Sequence, residues 1–341
     1  MLEAFQFIWY LVIGVSVIFY TVLDGFDLGV GCLHLYTKND RERRVMLNAI
    51  GPVWDGNEVW LVIVFGAMLV GFPAVYATLC SVFYTPIMIL LAGLMIRAAS
   101  IEFRSKQESV KWRSFWDVMF SIGSYVIAFL IGVIMGNMIT GIPIDAEGIF
   151  YGTFWSFFTP YTILVGLMGV AIFVMHGAIY LLMKTEGEMH ERVRRLVNPS
   201  IGIFIFFYLV TTVSTFFYTP HMIQIMKEIP YLFGVGLLAM VAILYVPFCT
   251  SRGKDGTAFI ASCASIALLF VLFMLGTYPN MIYSTLNPET NSLTLFNSAA
   301  DLPTLKVVLI VAAIGVPLVL AYGYWIYRIF RGKVSLDEAS Y

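Results

Sequence analysis

Apolar and polar positions fall along this chain in blocks rather than in stripes. Nine apolar runs of roughly 20 residues, each long enough to cross about 30 Å of hydrocarbon, are separated by shorter polar stretches. They cover approximately 7–35, 53–72, 75–97, 115–139, 159–183, 199–218, 229–249, 257–278 and 305–329. The pattern predicts an all-α polytopic membrane protein, one transmembrane domain over 1–341 with no soluble domain or linker between spans. Phe72-Pro73 predicts a tight hairpin between the second and third spans. Segment 140–158 is longer and aromatic, as suits a membrane interface, and 278–303 carries turn signals at Pro279, Asn287-Pro288 and Asn291.

Composition agrees. Hydrophobic residues make up 60% of the chain and charged ones 12%, where a soluble domain carries about 25% charged residues. The charges are also sorted. Of the 20 Lys and Arg residues, all but Lys227 and Lys306 lie in alternate connections or in the tail after the last run. This bias predicts an N-terminus outside and a C-terminus in the cytoplasm, and a missed or surplus span would have scrambled it. The first ten residues hold Glu3 and no basic residue, so they read as the lead into an uncleaved first span. No basic run has the aromatic interleaving of a nucleic-acid surface. Cys32, Cys80, Cys249 and Cys263 are scattered singly in apolar text and read as small hydrophobes.

Four carboxyl groups interrupt this apolar text. Asp24 and Asp27 lie well inside the first run, and Asp55 and Glu58 open the second. An aspartate at a bilayer centre costs about 2.5–3.5 kcal/mol on an insertion scale, so such groups are kept for pairing, ion binding or proton relay. Both pairs are spaced by three and share a helix face. At 1.5 Å per residue Asp27 lies roughly 15 Å from the basic end, and Asp24 about 4–5 Å deeper. A ladder of acids rising from the cytoplasmic side is what a proton path needs. For Asp55 and Glu58 a second reading stays open, since Asp-Gly-Asn-Glu at a helix start resembles a capping box. Arg97, at the end of the predicted third span, is a counter-ion candidate for Asp55, Glu58 or Asp27, or a snorkelling interfacial arginine. Gly25-x-x-x-Gly29 beside the aspartates, and Gly132-x-x-x-Gly136, predict close helix approach.

The histidines are His34, His176, His190 and His221, and only His176 lies well inside a span. Paired histidines at matched depth, which a membrane haem would use, are missing from this pattern, so no haem is expected on this chain. His176 reads as packed or proton-linked. No zinc spacing, phosphate loop or Ser/His/Asp set is apparent.

Leu23-Asp-Gly-Phe-Asp-Leu-Gly-Val-Gly31 followed by Gly51-Pro-Val-Trp-Asp-Gly-Asn-Glu-Val-Trp-Leu61 closely resembles subunit II of the cytochrome bd quinol oxidases. Arg41-Glu-Arg-Arg44, Phe103-Arg-Ser-Lys106, Trp112-Arg-x-x-Trp116-Asp117 and Gly136-Asn137 fit the same family. The resemblance implies a subunit of a bacterial respiratory enzyme that oxidises quinol, reduces dioxygen to water and generates proton-motive force. It implies two four-helix bundles plus a peripheral helix, paired pseudo-symmetrically with subunit I, and often a very small third subunit. Two haems b and one haem d would belong to subunit I, with a structural quinone or lipid as a further expected occupant of the complex. By resemblance Asp24, Asp27 and Asp55 belong to proton delivery toward haem d, with Glu58 at a place where other members carry glutamine. Trp60 matches a tryptophan associated in some members with an oxygen route. The alternative is a proton-coupled transporter or channel acting alone, which would call for a midplane site built of broken helices.

Overall fold

The computed structural model describes residues 1–336. Among them, nine helices are long and apolar enough to cross a membrane. They are α1 (Leu2–Leu33), α3 (Trp54–Gly71), α5 (Tyr84–Phe103), α6 (Val110–Thr140), α7 (Pro160–Lys184), α8 (Gly187–Tyr218), α10 (Phe233–Ser251), α11 (Asp255–Thr277) and α13 (Leu302–Ile329). Four short helices join them: α2 (Asp40–Ile50), α4 (Pro73–Val82), α9 (Gln224–Glu228) and α12 (Pro288–Asn291). Helices α1, α3, α5 and α6 lie on one side and α7, α8, α10 and α11 on the other, with α1 and α6 packed on α7. That arrangement is consistent with two four-helix bundles. Helix α13 lies outside them against α1 and α3, and Leu305 is its one buried residue.

Glycine pairs set how closely the helices approach. A Cβ on Gly29 would collide with the Phe173 carbonyl oxygen, and one on Gly177 would stand 2.5 Å from the Gly29 backbone, so α1 and α7 meet backbone to backbone. Gly132 and Gly166 make the same kind of contact between α6 and α7, with Gly132's Cβ position 2.7 Å from the Gly166 Cα. The glycines beside the aspartates therefore turn that part of α1 toward protein.

The structure departs from the sequence pattern in several places. The third span is Tyr84–Lys106 rather than 75–97. Phe72 does turn the chain, but the residues after it form the separate ten-residue helix α4, which ends at Phe83 before α5 begins. Pro73 at the first position of α4 and Pro86 in the first turn of α5 permit these starts. The apolar text runs unbroken through both, so hydrophobicity alone cannot place the break. In the first basic connection, read only as charged, Asn39 caps α2 by accepting from the Glu42 N–H. Between α11 and α13 the turn-rich stretch forms a small antiparallel pair, β1 (Asn280–Ile282) with β2 (Leu293–Thr294).

Candidate functional site

Asp24 and Asp27 are both fully buried. One turn of α1 separates them, and their partners differ. Arg97, from the middle of α5, grips Asp24 through both ends of its fork, Nη2 to Oδ1 at 2.5 Å and Nη1 to Oδ2 at 3.2 Å. The same Nη1 lies 3.4 Å from Glu58 Oε1, which is ion-pair reach without a hydrogen bond. The placement of α5 moves Arg97 from the expected end of a span to its interior, where it is as buried as Asp24. Its main partner is therefore Asp24, which the sequence did not suggest. It bonds to neither Asp55 nor Asp27, which were named as candidates.

Asp27 takes an amide instead. Asn57 Nδ2 donates to Asp27 Oδ2 at 2.7 Å and also approaches the Leu23 carbonyl at 3.3 Å. The Asn57 oxygen accepts from the Tyr327 hydroxyl of α13 at 2.8 Å. The other oxygen of Asp27, Oδ1, is buried with no hydrogen-bond partner among the described residues. On the far side of α1, His176 Nε2 bonds the Val22 carbonyl at 3.0 Å. The turn bearing the acids is thus held from α3, α5 and α7 together.

The capping reading of Asp55 and Glu58 is corrected. Helix α3 starts two residues earlier than that reading requires, with Val53 rather than Asp55 at the N-cap position and no side-chain cap bond. Asp55 is exposed and Glu58 half-buried. Both, with Tyr20, line an apolar cavity of about 690 Å³ among α1, α3, α5, α6 and α11. Glu58 therefore joins the cavity wall to the Arg97–Asp24 pair. Trp60, on the next turn of α3, is buried and stacks on Phe19 with ring centres 4.3 Å apart.

A second buried ionic centre lies where the basic connections gather. Asp117, near the start of α6, accepts from His34 Nε2 at 2.6 Å, Arg104 Nε at 2.6 Å and Arg43 Nη1 at 2.7 Å. Arg104 also reaches Asp40, tying α1, α2, α5 and α6 at one end. Asp117 and Arg104 stood in motifs that carried the family resemblance, but their meeting joins residues 13 apart across a chain reversal, which no helical spacing discloses. Asn57 and Tyr327 were likewise missed. The sequence signal for Asn57 was its place in the acid-rich motif, and Tyr327 had none.

His176, the one histidine well inside a span, has no nitrogen left to ligate a haem iron. His176 has both nitrogens engaged, Nδ1 by Ser262 and Nε2 by Val22, and its ring lies flat on Phe259. His34 gives Nε2 to Asp117, and His221 stacks on Tyr283 with Nε2 on the Ile139 carbonyl. Burial of His221 holds its imidazole below the usual histidine range. None of the four histidines lines the large cavity. The centre thus holds one carboxylate fixed by a guanidinium and another with an amide on one oxygen and, among the described residues, no partner on the other.

The family model described as cytochrome bd terminal oxidase subunit II matches residues 5–330. Cytochrome bd-I ubiquinol oxidase subunit 2 of Escherichia coli K12 is 31% identical, over 98% of this chain and 97% of that relative. Cytochrome bd ubiquinol oxidase subunit 2 of Bacillus subtilis 168 is also 31% identical, over 97% of both chains. Among solved structures, a chain of the bd oxidase from Geobacillus thermodenitrificans matches with a TM-score of 0.79 over 96% of this chain and 98% of its own, at 18% identity, a likeness of fold. The acid-bearing motifs on α1 and α3 lie inside the matched region, and the chain belongs to the cytochrome bd terminal oxidase subunit II family.

Proposed function

We propose that this chain is the haem-free subunit of a bd-type quinol oxidase, supporting a catalytic subunit I and supplying it with protons through Asp24, Asp27, Asp55 and Glu58. The basic end faces the cytoplasm, which puts the N-terminus outside and the C-terminus inside, in line with the sorted Lys and Arg residues. Dioxygen reduction on the partner's haems b and d consumes one proton for each electron. Drawing those protons from the cytoplasm while quinol releases its own outside generates proton-motive force. The observation that carries this reading is the buried turn of α1, where one carboxylate oxygen of Asp27 has no hydrogen-bond partner among the described residues, beside an ion pair. An acid kept that deep with unused bonding capacity is costly, and acids kept at such a cost mark proton relays. The apolar cavity suits the tail of a structural quinone or lipid, with Glu58 and Asp55 at its wall. Trp60 is assigned to an oxygen route, and the complex includes a small single-helix subunit as well as subunit I.

Affinity purification of the tagged chain from its membrane tests the assignment. It brings down a larger haem-bearing partner with a bd-type absorption spectrum, and oxygen uptake with a short-chain quinol follows that fraction. A colourless protein purified alone overturns it. Within the complex, Asp24→Asn and Asp55→Asn lower oxygen consumption per haem while the spectrum persists. Unchanged turnover in both rejects the proton role of these two acids and leaves family membership standing.

A further inference from the structure

Helix α13 is the least embedded of the spanning helices, with one buried residue, yet it sends a hydroxyl inward to the neighbourhood of the acids. We propose that Tyr327 and Asn57 are positioning residues for proton exchange at Asp27, which makes the last helix part of the proton supply as well as a peripheral support. The inference rests on the proton role proposed for Asp27 and assigns the residues that make its carboxyl serviceable.

The bond order fixes the geometry. Asn57 has one acceptor and one donor end. Tyr327 has its hydroxyl on Asn57 Oδ1 at 2.8 Å, so the NH₂ end is the one turned to Asp27 Oδ2 at 2.7 Å. Without that hydroxyl the amide is free to turn its oxygen toward the carboxyl, replacing a donor by a repelling acceptor. An amide is a poor proton carrier, so Asn57 orients Asp27 rather than relaying to it. Orientation leaves Oδ1, buried and unbonded among the described residues, as the atom that takes and releases the proton. Space lies next to the amide and hydroxyl that hold the carboxyl. A crevice of about 20 Å³ among α1, α3 and α13 is lined by Asn57, Tyr327, Tyr322 and Trp60. That is room for one water next to groups that can hydrogen-bond to it. The ring of Tyr327 is held at its other side by Phe26, edge to face at 6.5 Å. In hydrocarbon an unpaired hydroxyl is costly, which keeps this bond made.

The test uses the whole purified oxidase, with turnover per haem, KM for a short-chain quinol, and the pH profile of oxygen uptake as readouts. Tyr327→Phe and Asn57→Ala are compared with Asp27→Asn and with Tyr324→Phe, a substitution on the exposed face of the same helix. Removing one positioned hydrogen bond is expected to lower kcat about 3- to 10-fold in Tyr327→Phe, with KM unchanged and the pH optimum displaced. Asn57→Ala does the same or more, Asp27→Asn gives the largest loss, and Tyr324→Phe matches the parent. If Asp27→Asn falls while Tyr327→Phe and Asn57→Ala keep the parental kcat and pH profile, the positioning role is overturned and the proton role of Asp27 stands. A loss confined to complex yield or melting temperature, with turnover per haem and pH profile intact, overturns it as well. Parental turnover in Asp27→Asn instead overturns the proton reading on which the inference rests.

Discussion

Asp24 and Asp27 occupy one turn of one helix, share complete burial and carry the same functional group, and the protein treats them in opposite ways. Asp24 receives a guanidinium through two nitrogens, tying α1 to α5. Asp27 receives a neutral amide at one oxygen and, among the described residues, nothing at the other, tying α1 to α3 and, through Tyr327, to α13. A carboxylate gripped by a cation inside a membrane has its charge answered in place and locks two helices together. One held by an amide is oriented without being neutralised. Depth and spacing therefore do not assign a role to a buried acid; its partner does. Asp117 marks the far limit of the same scale, with His34, Arg43 and Arg104 around one carboxylate at the basic end, an arrangement suited to anchoring four helices.

The strongest way to break this comparison is at Arg97. Arg97→Leu strands Asp24 and Glu58 without their cation, and removing one partner of a buried pair costs about 3–5 kcal/mol. The expected outcome is little or no assembled complex, measured as haem recovered with the tagged chain. Replacing both members, Asp24→Leu with Arg97→Leu, restores assembly relative to the single variant, because two well-packed apolar side chains replace a buried pair at little net cost. If the double variant assembles no better than the single one, Arg97 is required for something other than answering Asp24.

Next in size is the contrast between the two aspartates themselves. Asp24→Asn leaves Arg97 with only Glu58 at 3.4 Å and lowers the melting temperature of the complex. Asp27→Asn changes no ion pair, so its melting temperature stays near the parent's while turnover per haem drops about tenfold or more, in the range that loss of a positioned acid or base gives. Equal melting temperatures for the two variants would erase the distinction drawn between them.

Much of the frame behind this contrast was legible in the sequence, because the bilayer imposes it. Nine spans follow from apolar length, and the acids stand out because hydrocarbon penalises them. Close packing beside the aspartates was written in Gly25 and Gly29, and Gly29 does meet Gly177. What stayed hidden was register. The break at Phe83 lies within uninterrupted apolar text, and placing it wrongly put Arg97 at a helix end instead of beside Asp24. The true starting point of α3, at Trp54, moved the N-cap two residues ahead of Asp55 and removed the capping box. Tyr327 was hidden for a different reason. One tyrosine among the 19 in this chain has no spacing relation to a motif 270 positions earlier, and only the lie of α13 across α3 brings them together.

The smallest expected effect lies at Glu58, and it sharpens the comparison most. Glu58 stands near Arg97 as Asp24 does, but at 3.4 Å against 2.5 Å, without a hydrogen bond, and with 21% of its side chain exposed at the cavity wall. Exposure and distance both screen the interaction, so its share of the ion pair is small, about 1 kcal/mol or less by analogy with partly solvated pairs. Glu58→Gln keeps the shape and can still accept from the guanidinium. Assembly and melting temperature are therefore expected to match the parent, and turnover per haem to change less than about threefold, which is under 1 kcal/mol of barrier. Asp55→Asn, read beside it, separates two routes to the buried turn. If protons arrive along the cavity wall, both substitutions slow turnover together, Asp55 being the exposed step and Glu58 the half-buried one. If they arrive beside α13, neither does, and Tyr327→Phe alone is slow. A large loss in Glu58→Gln with Tyr327→Phe unaffected would move the working acid from Asp27 to the Arg97 side and invert the roles assigned to the two aspartates.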